Sequence, residues 1–243
     1  MRLTNSQLSR EATSWTQPWY FDDPTCVHLG RSTVLELQEE GDKTKLILLD
    51  WVPDHSLDAL SLVPNSLCPV DGIVARTKSL VDSLQVRELH DYVSDVFRLT
   101  DVFRYFWTCP ASIADHHAHP GGLAVHSLEV ATAVSQLKSL DRDDLEIATV
   151  YALFHDVGKI WSYEKGTLTA EALELGHEYI GLDRMLPSIR RLRGTWPQGG
   201  LILQGLFASV WGRNYKRRGR AIGQIVRSLD AHSAEQFMKR KRR

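Results

Sequence analysis

Four residues far apart in this chain constrain its fold more than any other feature: His126, the adjacent pair His155-Asp156, and Asp230 within the run S-L-D-A-H-S-A. Two imidazoles and two carboxylates make a mixed nitrogen–oxygen donor set of the kind that holds one divalent cation. To serve one ion, these side chains have to be carried to a single point by separate elements. Hydrophobic periodicity puts each on a helix: His126 shares a stripe with Val130 and Val134, His155-Asp156 ends a segment running from about Asp144 through Ala148 and Ala152, and Asp230 lies in a helical stretch over about 220–238. Three helices packed side by side can aim such ligands into one pocket. An ion accepting six ligands would keep positions for water and a phosphate oxygen. A metal held this way makes water nucleophilic near neutral pH, so the pattern predicts phosphate-ester hydrolysis.

The rest of the chain divides near residue 87. Residues 1–24 read as an irregular polar arm carrying Trp15, Trp19 and Tyr20. Over 25–86 the signals are β: segments 33–37 and 44–49 flank a polar turn and predict a hairpin, and 70–75 with 80–86 suggest a second pair. Several short strands with little helix suggest a small β-barrel. From 87 to 243 the period is helical, with Leu89, Val93, Val96 and Phe97 on one stripe, and with further helices over 171–186 and 200–211. The fold class expected is therefore α+β, a β-rich N-terminal domain followed by an all-α bundle.

The flanks of the four ligands sharpen the reading. Gly121-Gly122-Leu123 leads into His126-Ser127-Leu128-Glu129-Val130, and Asp156 continues as Val157-Gly158-Lys159. With these flanks the chain resembles the HD-domain metal-dependent phosphohydrolase superfamily over roughly residues 110–235. Within it, a histidine-rich loop before Gly-Gly-Leu, here His116-His117-Ala118-His119-Pro120, is similar to two groups. One is the bacterial 3′-to-5′ exoribonucleases that place an OB-fold before the HD domain, and the other is the HD-type relaxases of conjugative elements. The resemblance implies His126, His155, Asp156 and Asp230 as metal ligands, with Asp156, Lys159 and His177 as catalytic residues. It also implies an OB-like character for residues 25–86. The metal expected is Mn²⁺, with Fe²⁺, Co²⁺, Zn²⁺ or Mg²⁺ as alternatives. Lys159 either meets a substrate phosphate or caps a helix C-terminus.

The pattern also departs from the two-metal members. His177 matches the first of their additional histidines, but the stretch 201–207 offers no second one. Either the site holds one ion, or His116, His117 or His119 supplies a ligand or a phosphate contact from the loop.

Charge suggests what the site faces. Residues 184–243 hold 15 of the 29 Lys+Arg and only Asp230 and Glu235 among the 30 Asp+Glu, a segment charge of 15 − 2 = +13 against 14 − 28 = −14 for the remainder. Such asymmetry points to a polyanion. Arg184, Arg190, Arg191 and Arg193 form one cluster, beside Trp196; Arg213, Lys216, Arg217, Arg218 and Arg220 form another, after Trp211. Arginine suits phosphate through bidentate contacts, and aromatics can stack on bases. The tryptophans read more simply as core residues.

Three readings follow. The first is a metal-dependent phosphodiesterase acting as a 3′-to-5′ exonuclease on single-stranded RNA or DNA. The second is an HD-type nucleotide phosphohydrolase, and the third a weakly catalytic nucleic-acid-binding module of a conjugation or mobile-element system. Three scattered cysteines, Cys26, Cys68 and Cys109, fit reduced thiols. No apolar run reaches transmembrane length, and the first fifteen residues lack the apolar core of a secretion signal. A cytoplasmic protein with no membrane partner is expected; the sequence is silent on oligomeric state.

Overall fold

In the computed structural model, which describes residues 2–5, 10–15, 25–31, 34–39, 43–48, 52–54, 56–164, 166–209 and 219–241, the chain opens with strands. β1 (Arg2–Asn5) and β2 (Arg10–Trp15) pair antiparallel. The segment expected to be an irregular arm thus contributes a hairpin. After the short β3 (Gly30–Arg31), β4 (Val34–Glu39) and β5 (Lys43–Leu48) form the antiparallel hairpin that their alternation predicts, in register from Val34 opposite Leu48 to Glu39 opposite Lys43. β2 runs parallel to β5, which sets the sheet order β1-β2-β5-β4. β6 (Val52–Pro53) closes a second pair with β3.

The second strand pair expected over 70–75 and 80–86 is instead a helix, α1 (Ile73–Asp82). Its buried residues Ile73, Val74, Thr77 and Val81 recur at helical spacing. Gly72 precedes it in the left-handed region at φ 75°, where a residue with a Cβ is strained. Run together in sequence, Ile73 and Val74 look like strand because β-branched side chains favour it; burial on one helical face outweighs that preference.

Helix α2 (Arg87–Phe97) buries Leu89, Tyr92, Val93, Val96 and Phe97, each contributing roughly 1.5–3 kcal/mol of transfer energy before entropy is counted. Its N-cap, Val86, has no side chain able to cap. Glu146 does so from a distance: its carboxylate, largely buried, accepts from the Gln85 N–H at 3.0 Å and the Val86 N–H at 2.8 Å. α3 (Thr100–Tyr105) follows. Phe97 stacks on Trp107 with centroids 5.4 Å apart, and Phe106 meets both edge-on. All three rings are fully buried in the core.

α4 (Gly122–Ser135) and α5 (Arg142–Phe154) pack along each other, as their periodicity predicts. Asp141 caps α5 by accepting from the Asp144 N–H at 3.0 Å. A 3₁₀ turn over Val157–Trp161 and the small hairpin β7 (Tyr163–Glu164) and β8 (Thr167–Leu168) lead to α6 (Ala170–Leu175) and α7 (His177–Thr195). Gly176, at φ 78°, splits into two the single helix expected here. α8 (Pro197–Phe207) starts on its proline, as suits a residue with no N–H to satisfy. α9 (Gly219–Lys241) then crosses α4, α5 and α8. Among the described residues no helix is long and apolar enough to cross a membrane.

Candidate metal centre

α4 carries His126 at its buried centre, α5 delivers His155 at its C-cap with Asp156 immediately after, and α9 brings Asp230 across from the far side. The four residues expected as ligands are therefore brought together. The His126 Nε2 lies 2.9 Å from Asp230 Oδ1 and 3.6 Å from Asp156 Oδ2; the His155 Nε2 lies 3.5 Å from Asp156 Oδ2 and 3.7 Å from Asp230 Oδ1. Despite these approaches, neither Nε2 has a hydrogen-bond partner, although both are sealed from solvent. The imidazoles are close to the carboxylates but not aligned with them. An oxygen of each carboxylate stands 2.9 to 3.7 Å from the two ring nitrogens, and of the four residues His126, His155 and Asp156 lie close enough together to share one ion.

That geometry fits a metal. Ligand atoms about 2.1 Å from one ion stand about 3.0–3.4 Å from one another, close to the spread seen here. A buried imidazole nitrogen without a partner is costly unless something else satisfies it. Among the described residues, His126, His155 and Asp156 form one group able to hold an ion, and His117, His126 and Glu129 another. Two nitrogen and two oxygen donors suit Mn²⁺, Fe²⁺, Co²⁺ or Zn²⁺.

The same cluster shifts its own protonation. Burial alone would drive His155 down, but the carboxylates of Asp156 and Asp230 outweigh it and hold the imidazole up at about 9. Burial would raise Asp156, yet His155, His177, Lys159 and His126 together hold its carboxyl well below the usual range. Asp230 is likewise depressed, with burial overcome by His126 and His155. Lys159 donates to Asp156 Oδ2 at 2.6 Å, and His177, the first residue of α7, places its Nε2 3.0 Å from Asp156 Oδ1. Lys159 sits in the 3₁₀ turn and reaches back to the Asp156 carboxylate rather than capping α5.

His177 is placed by two glycines. A Cβ on Gly158 would fall 1.8 Å from the His177 carbonyl oxygen, and one on Gly181 would meet Gly158 at 3.0 Å. Only bare backbone lets the 3₁₀ turn and α7 touch there.

The histidine loop folds over the N-terminus of α4. His117 adopts φ 52°, in the left-handed region, and is buried. Its carbonyl accepts from the Ala111 N–H at 3.1 Å, and a Cβ on Gly122 would lie 1.9 Å from that carbonyl oxygen. His117 Nε2 stands 3.1 Å from Glu129 Oε2. The ring of His116 is 5.2 Å from that of His126 between centroids, at the edge of the centre. His119 turns its Nδ1 to the Pro120 carbonyl, 3.0 Å away. Glu129 and Ser233, to which the sequence reading assigns no role, join this side of the site: Ser233 Oγ donates to Glu129 Oε2 at 3.0 Å and lies 3.4 Å from His126 Nδ1. Their spacing is the available signal, because Glu129 is three residues past His126 and Ser233 three past Asp230.

The basic residues are less uniform than their sequence suggests. Arg184 approaches Glu171 at 3.7 Å, Arg191 bonds Asp95 at 2.6 Å, and Arg193 donates to Gln204 at 3.0 Å. Arg190 is exposed on α7, and Arg220 is half-buried near the start of α9. Arg213, Lys216, Arg217 and Arg218 lie outside the described residues, as does Trp211. Trp196 is half-buried and packs on the core.

No curated protein and no solved structure matches the chain. Residues 123–231 match the HD domain family. That match takes in His126, His155, Asp156, Lys159, His177 and Asp230; it supports the HD superfamily for this stretch and with it a metal-dependent phosphohydrolase.

Proposed function

We propose that the protein is a metal-dependent phosphodiesterase that degrades single-stranded nucleic acid from its 3′ end. One observation carries the chemistry: two buried imidazole Nε2 atoms that make no hydrogen bond stand beside two depressed carboxylates. His126, His155, Asp156 and Asp230 would hold the ion there, which when bound polarises a phosphoryl oxygen and lowers the pKa of water. Manganese suits this donor set.

The chain's own residues supply the rest. Asp156 is gripped from both sides, by Lys159 on Oδ2 and by His177 on Oδ1, so its carboxylate cannot swing. Lys159 is the fixed cation beside the reacting centre, and its ammonium would take a non-bridging phosphate oxygen. His177 stands at the rim with about a third of its side chain exposed, where Nε2 would polarise the scissile phosphate. His116 would add a further contact from the loop. Arg184, Arg190, Arg191 and Arg193 along α7 and Arg213, Lys216, Arg217, Arg218 and Arg220 would follow the phosphate backbone. The N-terminal strands would grip the single strand as an OB-like surface does. This architecture is what the OB-plus-HD exoribonucleases combine, and relaxases share the histidine loop.

A second reading, hydrolysis of a free nucleotide, gains from the ion pairs that Arg184 and Arg191 already make, which spend part of the basic surface. Purified protein with Mn²⁺ and an end-labelled oligonucleotide separates the two. Stepwise shortening from the 3′ end is expected, steeply weakened by salt and lost in Asp156→Ala. Turnover of mononucleotides alone, with little salt dependence, would favour the second reading.

A further inference from the structure

The two contacts of His126 are made by different chemistry on its two nitrogens. α4 and α9 face each other through two successive rungs: His126 opposite Asp230, and one turn further along both helices, Glu129 opposite Ser233. Ser233 connects the rungs. Its Oγ donates to Glu129 Oε2 at 3.0 Å and stands 3.4 Å from His126 Nδ1.

A serine hydroxyl has one proton and two lone pairs. An ionised carboxylate can only accept, so the proton of Ser233 is spent on Glu129. Toward His126 the hydroxyl can then only accept, which favours a hydrogen on Nδ1 over a lone pair there. In the neutral ring that leaves the lone pair on Nε2, the atom that faces Asp156 and Asp230 without an aligned hydrogen bond. His155 has a simpler partner on the same nitrogen: its Nδ1 lies 2.7 Å from the Ala152 carbonyl, which is also only an acceptor. That carbonyl is open because His155 ends its helix. His126 sits inside α4, where the carbonyls around it are spent on the helix, so a side chain has to do the same task. The same Oε2 of Glu129 stands 3.1 Å from His117 Nε2, which ties the relay to the histidine loop.

We propose that Glu129 is a positioning residue for His126: acting through the Ser233 hydroxyl, it holds His126 as the Nδ1–H tautomer, so that the Nε2 lone pair is presented to a cation. The consequence for metal affinity rests on the metal reading above; the tautomer does not. Partners of this kind behind a metal-bound histidine are worth about 10- to 100-fold in affinity.

The test has two readouts. Long-range ¹H–¹⁵N spectra of metal-free protein labelled in histidine, at pH 9, report the tautomer of His126, identified by its absence in His126→Gln. The wild type is expected as Nδ1–H; Ser233→Ala and Glu129→Ala are expected to gain the Nε2–H form; Ser233→Thr, which keeps the hydroxyl, is expected to retain Nδ1–H. Titration with Co²⁺ is expected to show affinity about 10- to 100-fold weaker in Ser233→Ala and Glu129→Ala and restored in Ser233→Thr. An Nε2–H tautomer in the wild type overturns the proposal without any variant having to fold. So does an unchanged tautomer in both alanine variants. Protein that binds no Co²⁺ defeats the metal reading instead, while the metal-free spectra still decide the tautomer.

Discussion

The ammonium of Lys159 rests 2.6 Å from Asp156 Oδ2, the same carboxylate oxygen that faces the Nε2 atoms of His126 and His155. If Asp156 holds an ion, this fixed cation competes with the mobile one, and it would put positive charge beside a phosphate bound there.

Removing that charge is therefore expected to separate binding from turnover. In Lys159→Met, Mn²⁺ should bind more tightly, since Asp156 Oδ2 is released, while kcat for phosphodiester cleavage should fall about 10²- to 10³-fold, the loss typical for one preorganised stabilising group. Calorimetry and steady-state kinetics on the same preparation check both. Affinity and kcat falling together would mean that Lys159 serves only to hold the site in shape.

The raised imidazole of His155 gives a signed pH dependence. Its folded value, about 9, lies above the ordinary value of about 6.5. A group raised on folding contributes stability that is full below the unfolded value and is lost as pH climbs through the folded one. The metal-free protein should thus melt at lower temperature as pH goes from 6.5 to 9, through this group. A metal needs the neutral ring, so protons compete with it, and Co²⁺ affinity should rise over the same interval. Melting curves with and without Co²⁺ at three pH values measure the widening gap. A gap that narrows with pH would contradict the assignment of His155.

Glu146 holds the start of α2 from α5 with three close oxygen–nitrogen approaches, at 2.8, 3.0 and 3.1 Å. Glu146→Ala should cost about 1–2 kcal/mol, as lost caps do, and leave metal affinity unchanged, because none of its partners belongs to the site. Urea unfolding monitored by circular dichroism checks the size. Glu146→Gln, which keeps an acceptor oxygen, should recover part of it.

Gly158→Ala should damage the site through packing alone. The added methyl would collide with the His177 backbone carbonyl rather than with a flexible side chain, so α7 has to move. We expect about 1–3 kcal/mol of destabilisation from overpacking together with a fall in kcat, since His177 would leave Asp156. Normal kinetics in a destabilised variant would show that His177 takes no part in turnover.

Much of the site could be read from residue types alone. Imidazoles and carboxylates have few reasons to recur beside glycines and a lysine at these spacings, and helical periodicity already puts His126 and His155 on α4 and α5. Other parts needed three dimensions. Glu129 in H-S-L-E-V looks like any solvated helix residue until α9 brings Ser233 against it. The partner of Arg191 is Asp95, 96 positions away, so the charge it contributes to the surface is invisible in a local count. The strand expected at Ile73-Val74 failed because local β preference is weak beside the burial of one helical face. The helix expected across Gly176 failed because one left-handed glycine is enough to break it.

Asp230 comes from the last helix, whereas its companions come from the middle of the chain. An ion bound by all four would close a loop of about a hundred residues, and closure on that scale grows costlier only slowly with length. Metal uptake would then act as a clasp that locks the C-terminal helix onto the body. A chain without α9 in place would present three of the four residues and no clasp, so the ion would discriminate chains that have docked α9 from chains that have not.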